Sequence, residues 1–336
     1  SLYTPKKDKD FFFNNYQFLQ TLNLSDHEVK NITDKFLNWV KGVTSDNVHY
    51  ALLFLLGFNA SEEKFLQHIE KGENYWLRAL IIEPKLFEDK YIRRKIYNLI
   101  KNKIKNACLG RIIVDGNFQV IVSDPVAMIE AICGRKNVKG LLEEGEYYSS
   151  YWNNKNVSEV VASRSPLTYR SEHVVLNLKM NEETEYWYRY CDTGVILNAH
   201  GDDTARFAGS DFDMDIIATT SDKSVLSGVY RDELPVVYQE PKPEKSFVTE
   251  NDLYNADLFS FDSIIGGLTN KSTSGYALLS EYGQNTEEYK ETLKRIQTIT
   301  KAQSAQIDKT KIGKEVKGIV KKWINYQQPP KDSEGD

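Results

Sequence analysis

Short runs with a two-residue hydrophobic period crowd into the middle of this chain. Longer runs with a helical period lie on both sides. Residues 111–114 and 118–122 flank Asp115-Gly116, a strong hairpin turn signal. Further strand-like runs follow at 146–152, 157–162, 173–178, 186–190 and 195–197, and the apolar run 216–220 comes last. Strands this short, separated by turn residues, suggest a closed or nearly closed barrel.

The flanks read differently. Residues from about 10 to 106 carry helical spacing. Ser25 stands three places before Glu28, an N-terminal capping signal. Residues 51–56 form an apolar helical core that ends at Gly57, and 61–66 begin another helix. Ile92, Ile96, Leu99, Ile100 and Ile104 recur at helical intervals, with basic residues on the remaining faces. From about residue 250 the pattern is helical again: Gly266-Gly267 marks a loop or a helix start, and 287–323 is helical with a break near Gly313. The tail from Gln327 has a disordered composition.

The 336 residues are 40% hydrophobic and 27% charged, which is enough to bury a large core in two or three domains. Cys108, Cys133 and Cys191 are far apart, so neither a disulfide framework nor a paired-cysteine zinc site is expected, and a reducing compartment is. No apolar run is long enough to span a membrane, and the first residues lack the apolar core of a signal peptide. The chain starts without Met, which suggests a fragment or a processed piece. The net charge of −5 argues against indiscriminate nucleic-acid binding. Its distribution is uneven, however: residues 89–106 hold seven Lys and Arg against Asp89, and 301–323 hold seven Lys against Asp308 and Glu315. Either segment reads as a solvated helix face or as a phosphate-binding surface.

The chemistry concentrates at Gly209-Ser210-Asp211-Phe212-Asp213-Met214-Asp215. Alternation with period two predicts a strand with the aspartates on one face and Phe212 and Met214 in the core on the other. Three like charges on one face repel, and a bound divalent cation such as Mg2+ is the usual reason to keep them together. A calcium EF-hand loop fails, because its sixth and twelfth places would be Ile216 and Asp222. His200 and Asp202-Asp203 lie close by; a turn at Gly201 explains them as well as a second metal pair does. The five histidines form no zinc spacing.

Asp211-Phe212-Asp213-Met214-Asp215 resembles the metal-binding Asp-x-Asp-x-Asp of two-barrel RNA polymerases. That superfamily includes the large β′ subunits of cellular enzymes, RNA-silencing RNA-dependent polymerases and single-chain phage enzymes. The family usually has Gly where this chain has Met214, a departure closer to the phage-type variants. Arg164-Ser165-Pro166 is similar to the Arg-x-Pro segment whose Arg touches the incoming sugar. Asp115-Gly116 and Gly140-Leu141-Leu142-Glu143-Glu144-Gly145 resemble turns at the barrel's start, and Ile307-Asp308-Lys309-Thr310-Lys311-Ile312-Gly313 is similar to the downstream Val-Asp-x-x-Lys-x-Gly. The resemblance spans roughly residues 50 to 320.

The resemblance implies an α+β chain: a helical connector (1–106), a six-stranded catalytic double-psi β-barrel (107–245), a C-terminal helical region (246–326) and a disordered tail (327–336). It implies template-directed RNA synthesis by phosphoryl transfer, with Mg2+ held by Asp211, Asp213 and Asp215, and with Arg164, Arg170 and Lys311 binding substrate. Implied partners are nucleoside triphosphates, a DNA or RNA template, the RNA product, and a second barrel that supplies lysines, in a longer chain or a partner. The expected location is the cytoplasm, that of a host or else a virion if the chain is phage-encoded. Two rival functions use the same residues: a metal-dependent nuclease or phosphohydrolase, and a non-catalytic nucleic-acid-binding scaffold.

Overall fold

The computed structural model describes residues 10–56, 75–207, 209–237, 247–261 and 265–312. They divide into two compact units, one from residues 1–12, 17–23 and 115–336, the other from 13–16 and 24–114. Among the described residues no helix is long and apolar enough to cross a membrane.

Strands β1 (Phe11–Phe13) and β2 (Ile113–Asp115) stand outside the barrel. The barrel is built from β3 (Asn117–Ser123), β4 (Glu146–Tyr148), β5 (Glu159–Ser163), β6 (His173–Leu178), β7 (Gly194–Leu197) and β8 (Ile216–Thr220). These six close in the order β3-β7-β4-β6-β5-β8, with parallel pairs β3–β7 and β4–β6 among antiparallel ones. This is the closed mixed barrel of an α+β, double-psi fold, as expected. Alternate residues of each strand fill its interior: Val160 and Ala162, Val174 and Leu176, Val195 and Leu197, with Ile121, Ile217 and Trp152. β7 is buried on both faces, since Ile196 turns outward against Leu142, Tyr148 and Tyr188.

Three local expectations give way to tertiary context. Asp115-Gly116 does not close a hairpin, because β3 pairs with β7 and β8 instead. The Gly116 backbone passes so close to Thr219 that an added Cβ would lie 2.0 Å from its carbonyl oxygen. The glycine thus serves a close approach and not a two-residue turn. The expected strand at 186–190 falls largely in the helix Glu182–Tyr188. The Asn181 side chain accepts from Thr184 N at 2.8 Å, and Glu182, Glu183 and Glu185 occupy the first turn, where the helix dipole favours acids. The alternating tyrosines carry a strand period, but the cap upstream sets the conformation. The run 146–152 is strand only as far as Tyr148, and Ser150–Asn153 forms a helical turn that delivers Trp152 to the barrel core.

The other unit is helical: Asp26–Val43, Val48–Leu56, Tyr75–Ile82 and Lys90–Cys108. Ser25 and Glu28 form the expected capping box. Trp39, Val43, Leu52, Leu56, Leu80, Ile92 and Ile96 make its core. In the barrel unit, helices Glu250–Phe261, Ile265–Glu281 and Glu287–Ile312 follow. Gly266-Gly267 begins a helix, and Tyr169 packs with Leu279 and Ile296. The expected helix start at 61–66, the break near Gly313 and the tail lie outside the described residues.

Candidate metal centre

The turn that gathers the aspartates is fixed at both ends. Upstream, Gly209 takes φ +66°, and buried Ser210 donates its N–H to the carbonyls of Thr204 and Phe207. Downstream, the Asp215 carbonyl accepts the Ile121 N–H at 3.0 Å, and the chain enters β8. Between them residues 212–214 form a turn and not a strand. The Asp211 N–H donates to Asp215 Oδ2 at 3.0 Å, and the Asp213 N–H lies 3.4 Å from Asp211 Oδ1. These bonds curl the segment so that carboxylate oxygens of Asp211, Asp213 and Asp215 all lie within 4.8 Å of one another.

This corrects the strand-face expectation. Phe212 is 50% exposed and Met214 60%, so neither enters the barrel core. Met214 has φ +86°, the left-handed region that glycine enters without steric cost. Phe212 instead lines a cleft of about 340 Å³ with Met128, Asn198, Asp203 and Thr204. The carboxylates converge through backbone curvature, with no help from period-two alternation.

Arg164 reaches the turn from 51 residues away in sequence: its Nη2 donates to Asp215 Oδ1 at 2.8 Å. The register explains the meeting. β5 runs antiparallel to β8 with Ser163 opposite Ala218, so the residue after β5 arrives beside the residues before β8. Both side chains are largely covered, at 25% and 19% exposure, which makes this a charge-assisted bond in reduced dielectric. One carboxylate is therefore pinned by a guanidinium and a backbone N–H, while Asp211 and Asp213 are exposed.

Other sequence candidates lie elsewhere. Arg170 Nη2 meets Glu233 at 2.6 Å, its Nη1 donates to the Tyr289 hydroxyl at 3.1 Å, and the guanidinium lies over the Tyr230 ring. Burial works against the Arg170 charge, and the Glu233 carboxylate more than offsets it, so its pKa lies above the ordinary value. Lys311 belongs to the helix Glu287–Ile312, and its side chain lies outside the described residues. Asp203 is buried and accepts from the Tyr147 hydroxyl at 2.5 Å and from Asn198 Nδ2 at 3.2 Å. Burial pushes its carboxyl pKa up. Among the described residues, Asp211, Asp213 and Asp215 form the one group of three or more His, Cys, Asp or Glu side chains close enough to share an ion. His200 sits in a turn, with Nε2 2.8 Å from the Lys139 carbonyl.

The helix Pro125–Ile132, whose Met128 lines the Phe212 cleft, went unread in the sequence. Its signal was present: Asp124 is an N-cap whose carboxylate accepts from Val126 N and Ala127 N, and Pro125 occupies the first helical position.

No protein-family model matches the chain. The chain is 28% identical over 264 residues to the DNA-directed RNA polymerase YonO of Bacillus phage SPbeta, across 77% of this chain and 29% of the phage protein. The RNA dependent RNA polymerase QDE-1 from Thielavia terrestris has a similar fold, with a TM-score of 0.59 at 15% identity, over 92% of this chain and 36% of that one. The chain thus spans little more than a third, at most, of the length of either protein. Both comparisons point the same way: the chain is similar in sequence to part of one RNA polymerase and in fold to part of another.

Proposed function

We propose that this chain is the catalytic-barrel part of a nucleotidyltransferase that makes RNA on a nucleic-acid template, with Mg2+ held by Asp211, Asp213 and Asp215. The observation that carries the reading is the convergence of three carboxylates within 4.8 Å, a distance set by the turn's own backbone bonds. Hard carboxylate oxygens suit Mg2+. Ligands at roughly 2.0–2.1 Å lie no more than about 4.2 Å apart, so a small contraction of the turn completes the fit. Side-chain rotation of Asp211 and Asp213, both exposed on a short turn, would make that adjustment. Bound there, the ion would acidify a 3′-hydroxyl and neutralise charge on the transferring phosphoryl group.

The chain's own residues supply the positioning. The Arg164 guanidinium and the Asp211 N–H hold the Asp215 carboxylate in one orientation. Arg164 then stands at the edge of the site, where its planar fork suits a ribose or phosphate oxygen. Arg170, held by Glu233 and Tyr289, would act on substrate only through the structure it stabilises. Lys311 keeps the backbone-phosphate role that the resemblance implies.

A triphosphate carries about −4 charge and needs opposing cations that three aspartates do not provide. A second barrel, in a longer chain or a partner, would supply them. Support for such a partner comes from apolar surface around the turn: Phe212, Met214, Ile216 and Phe118 are each at least half exposed. Ile216 lies opposite Val120 and Phe118 opposite Ala218 on the paired strands β3 and β8. Exposed apolar side chains flanking an acidic site suit an interaction surface.

The test is template-directed incorporation of labelled nucleoside triphosphates, with Mg2+, by the chain alone and with the partner barrel added. The expected result is weak Mg2+ binding and no synthesis alone, with synthesis restored by the partner. Robust synthesis by the isolated chain would remove the need for a second barrel. Metal-dependent cleavage without incorporation would replace the polymerase reading with a nuclease.

A further inference from the structure

The helix Lys90–Cys108 buries Ile92 and Ile96 and half-buries Leu99, Ile100 and Lys103, which fixes the direction of its inner face. At 100° per residue Lys90, Arg94, Lys101 and Lys105 fall within about 60° of one another, directly opposite that face. All four are exposed. At 1.5 Å per residue they make a line about 22 Å long. The helix carries no acid of its own, and the carboxylate of Asp89, which caps it, accepts from Tyr91 N and Ile92 N. Among the described residues no carboxylate lies within ion-pair distance of the four cations.

That arrangement costs helix stability. Like charges at i,i+4, as at 90/94 and 101/105, repel where a Glu partner would attract. The usual solvated helix mixes signs on its outer face, and this one does not. Two aromatic rings border the stripe: Tyr91 is 61% exposed and Tyr97 is 63% exposed, and Lys95 lies over the Tyr91 ring. A line of cations edged with exposed phenols matches a single polynucleotide strand, whose phosphates take the cations and whose bases or sugars pack on the rings. An anionic membrane fits less well, because the outer face carries no broad apolar band to enter lipid.

We infer that the Lys90, Arg94, Lys101 and Lys105 stripe, with Tyr91 and Tyr97, is a binding surface for the phosphodiester backbone of single-stranded RNA or DNA. Nucleic acid as the partner class rests on the polymerase reading; the surface itself rests on this helix alone, and its test uses neither metal nor nucleotide.

The experiment is fluorescence anisotropy of a labelled 20-nucleotide single strand with the full chain, in chelator, across a salt series (at about 3.4 Å per nucleotide the strand is about three times as long as the stripe). Wild type is expected to bind with affinity that falls steeply with salt. The triple variant R94Q/K101Q/K105Q is expected to flatten the log–log salt slope by roughly 2 to 3, about 0.7–0.9 per lost phosphate contact. The control triple K30Q/K41Q/K85Q removes the same charge from exposed positions of the same unit. It is expected to keep the wild-type slope, and circular dichroism checks that both variants fold. Y91A/Y97A is expected to weaken binding without changing the slope. Equal losses in both triples, no binding by wild type, or tighter binding to phosphatidylserine vesicles than to the oligonucleotide would each overturn the proposal. Wild-type RNA synthesis by Asp213→Ala in the complete enzyme, with strand binding by the wild-type chain as expected, would end the catalytic reading and leave this one standing.

Discussion

The aspartate turn before β8 and the basic stripe on the helix Lys90–Cys108 both gather like charges, but in different shapes. In the turn, hydrogen bonds from Asp211 N and Asp213 N fold a five-residue segment on itself, so the carboxylates converge on a point. In the helix a rigid rod spreads its cations along a line. A point of negative charge fits one small hard cation, and a line of positive charge fits a polyanion. The shape of a charge cluster, as much as its sign, thus selects the ligand. The two regions also differ in what surrounds them. The barrel unit buries ionisable groups such as Glu172 and His173, whereas the stripe's cations are all exposed.

The comparison breaks most sharply at Asp213. Asp213→Ala is expected to reduce RNA synthesis to background in the complete enzyme while leaving folding intact or slightly improved, since one of three repelling charges is gone. Incorporation assays and thermal melts check both halves. Synthesis at the wild-type rate would end the metal-centre reading.

The barrel's buried pair predicts the next largest effect. Burial raises the Glu172 pKa to about 7 against hydrogen bonds from Thr168 and Tyr169 N–H, and burial lowers that of His173 to about 4. Glu172 binds its proton more tightly when folded, so its contribution is full below about 4.5 and is lost as pH rises through about 7. His173 is neutral when folded and charges when unfolded, so its contribution is present above 6.5 and is lost as pH falls to about 4. Between 4.5 and 6.5 the two slopes oppose, and stability is expected to be nearly flat. Glu172→Gln uncovers the histidine: stability should rise by about 1.4 kcal/mol per pH unit across that window. Denaturant titrations at several pH values measure it, and an equally flat variant would show that the pair does not titrate as described.

Arg164→Ala removes one of the two groups that hold Asp215. The expected loss of synthesis is about 10- to 100-fold, from a charged hydrogen bond of about 1.5–3 kcal/mol. Arg164→Lys should recover part of it, because one donor remains but the fork does not. Equal losses in both would favour a purely geometric need for the guanidinium.

The smallest expected effect is at Met214. Buried in a strand, it would lose about 1–3 kcal/mol on change to Gly. Exposed at φ +86°, it should instead lie within about 1 kcal/mol of wild type, because relief of the left-handed backbone offsets the added chain entropy. Met214→Val, β-branched in that region, should be the worse variant. Chemical denaturation of the pair orders them.

How much was legible follows from what each signal depends on. The helix Lys90–Cys108 could be read because Ile92, Ile96, Leu99 and Ile100 leave one face to bury, and burial enforces the period; Ile104, the fifth position of the pattern, is exposed. The capping box at Ser25 and Glu28 could be read because both partners lie within one turn. Strand β6 was legible for the same local reason: its buried residues alternate inside the barrel. The aspartates' identity as a cluster was legible from sequence, but their conformation was not. Alternation implies a strand only when one face is buried, and nothing within 211–215 says whether a core lies beneath Phe212 and Met214. That was decided by Ser210's bonds to residues 204 and 207 and by Asp215's bond to β3. The meeting of Arg164 with Asp215, the pairing of β3 with β7 and β8, and the glycine at 116 were likewise set by strand register across long sequence separations. The sequence by itself determined which residues carry charge, which segments have a face to bury, and which turns can cap a helix, because those are properties of neighbours along the chain. Only the tertiary structure decided how the aspartate turn curls and which guanidinium holds it, because the turn is anchored to the barrel at both ends and barrel closure brings β5 and β8 together from far apart in sequence.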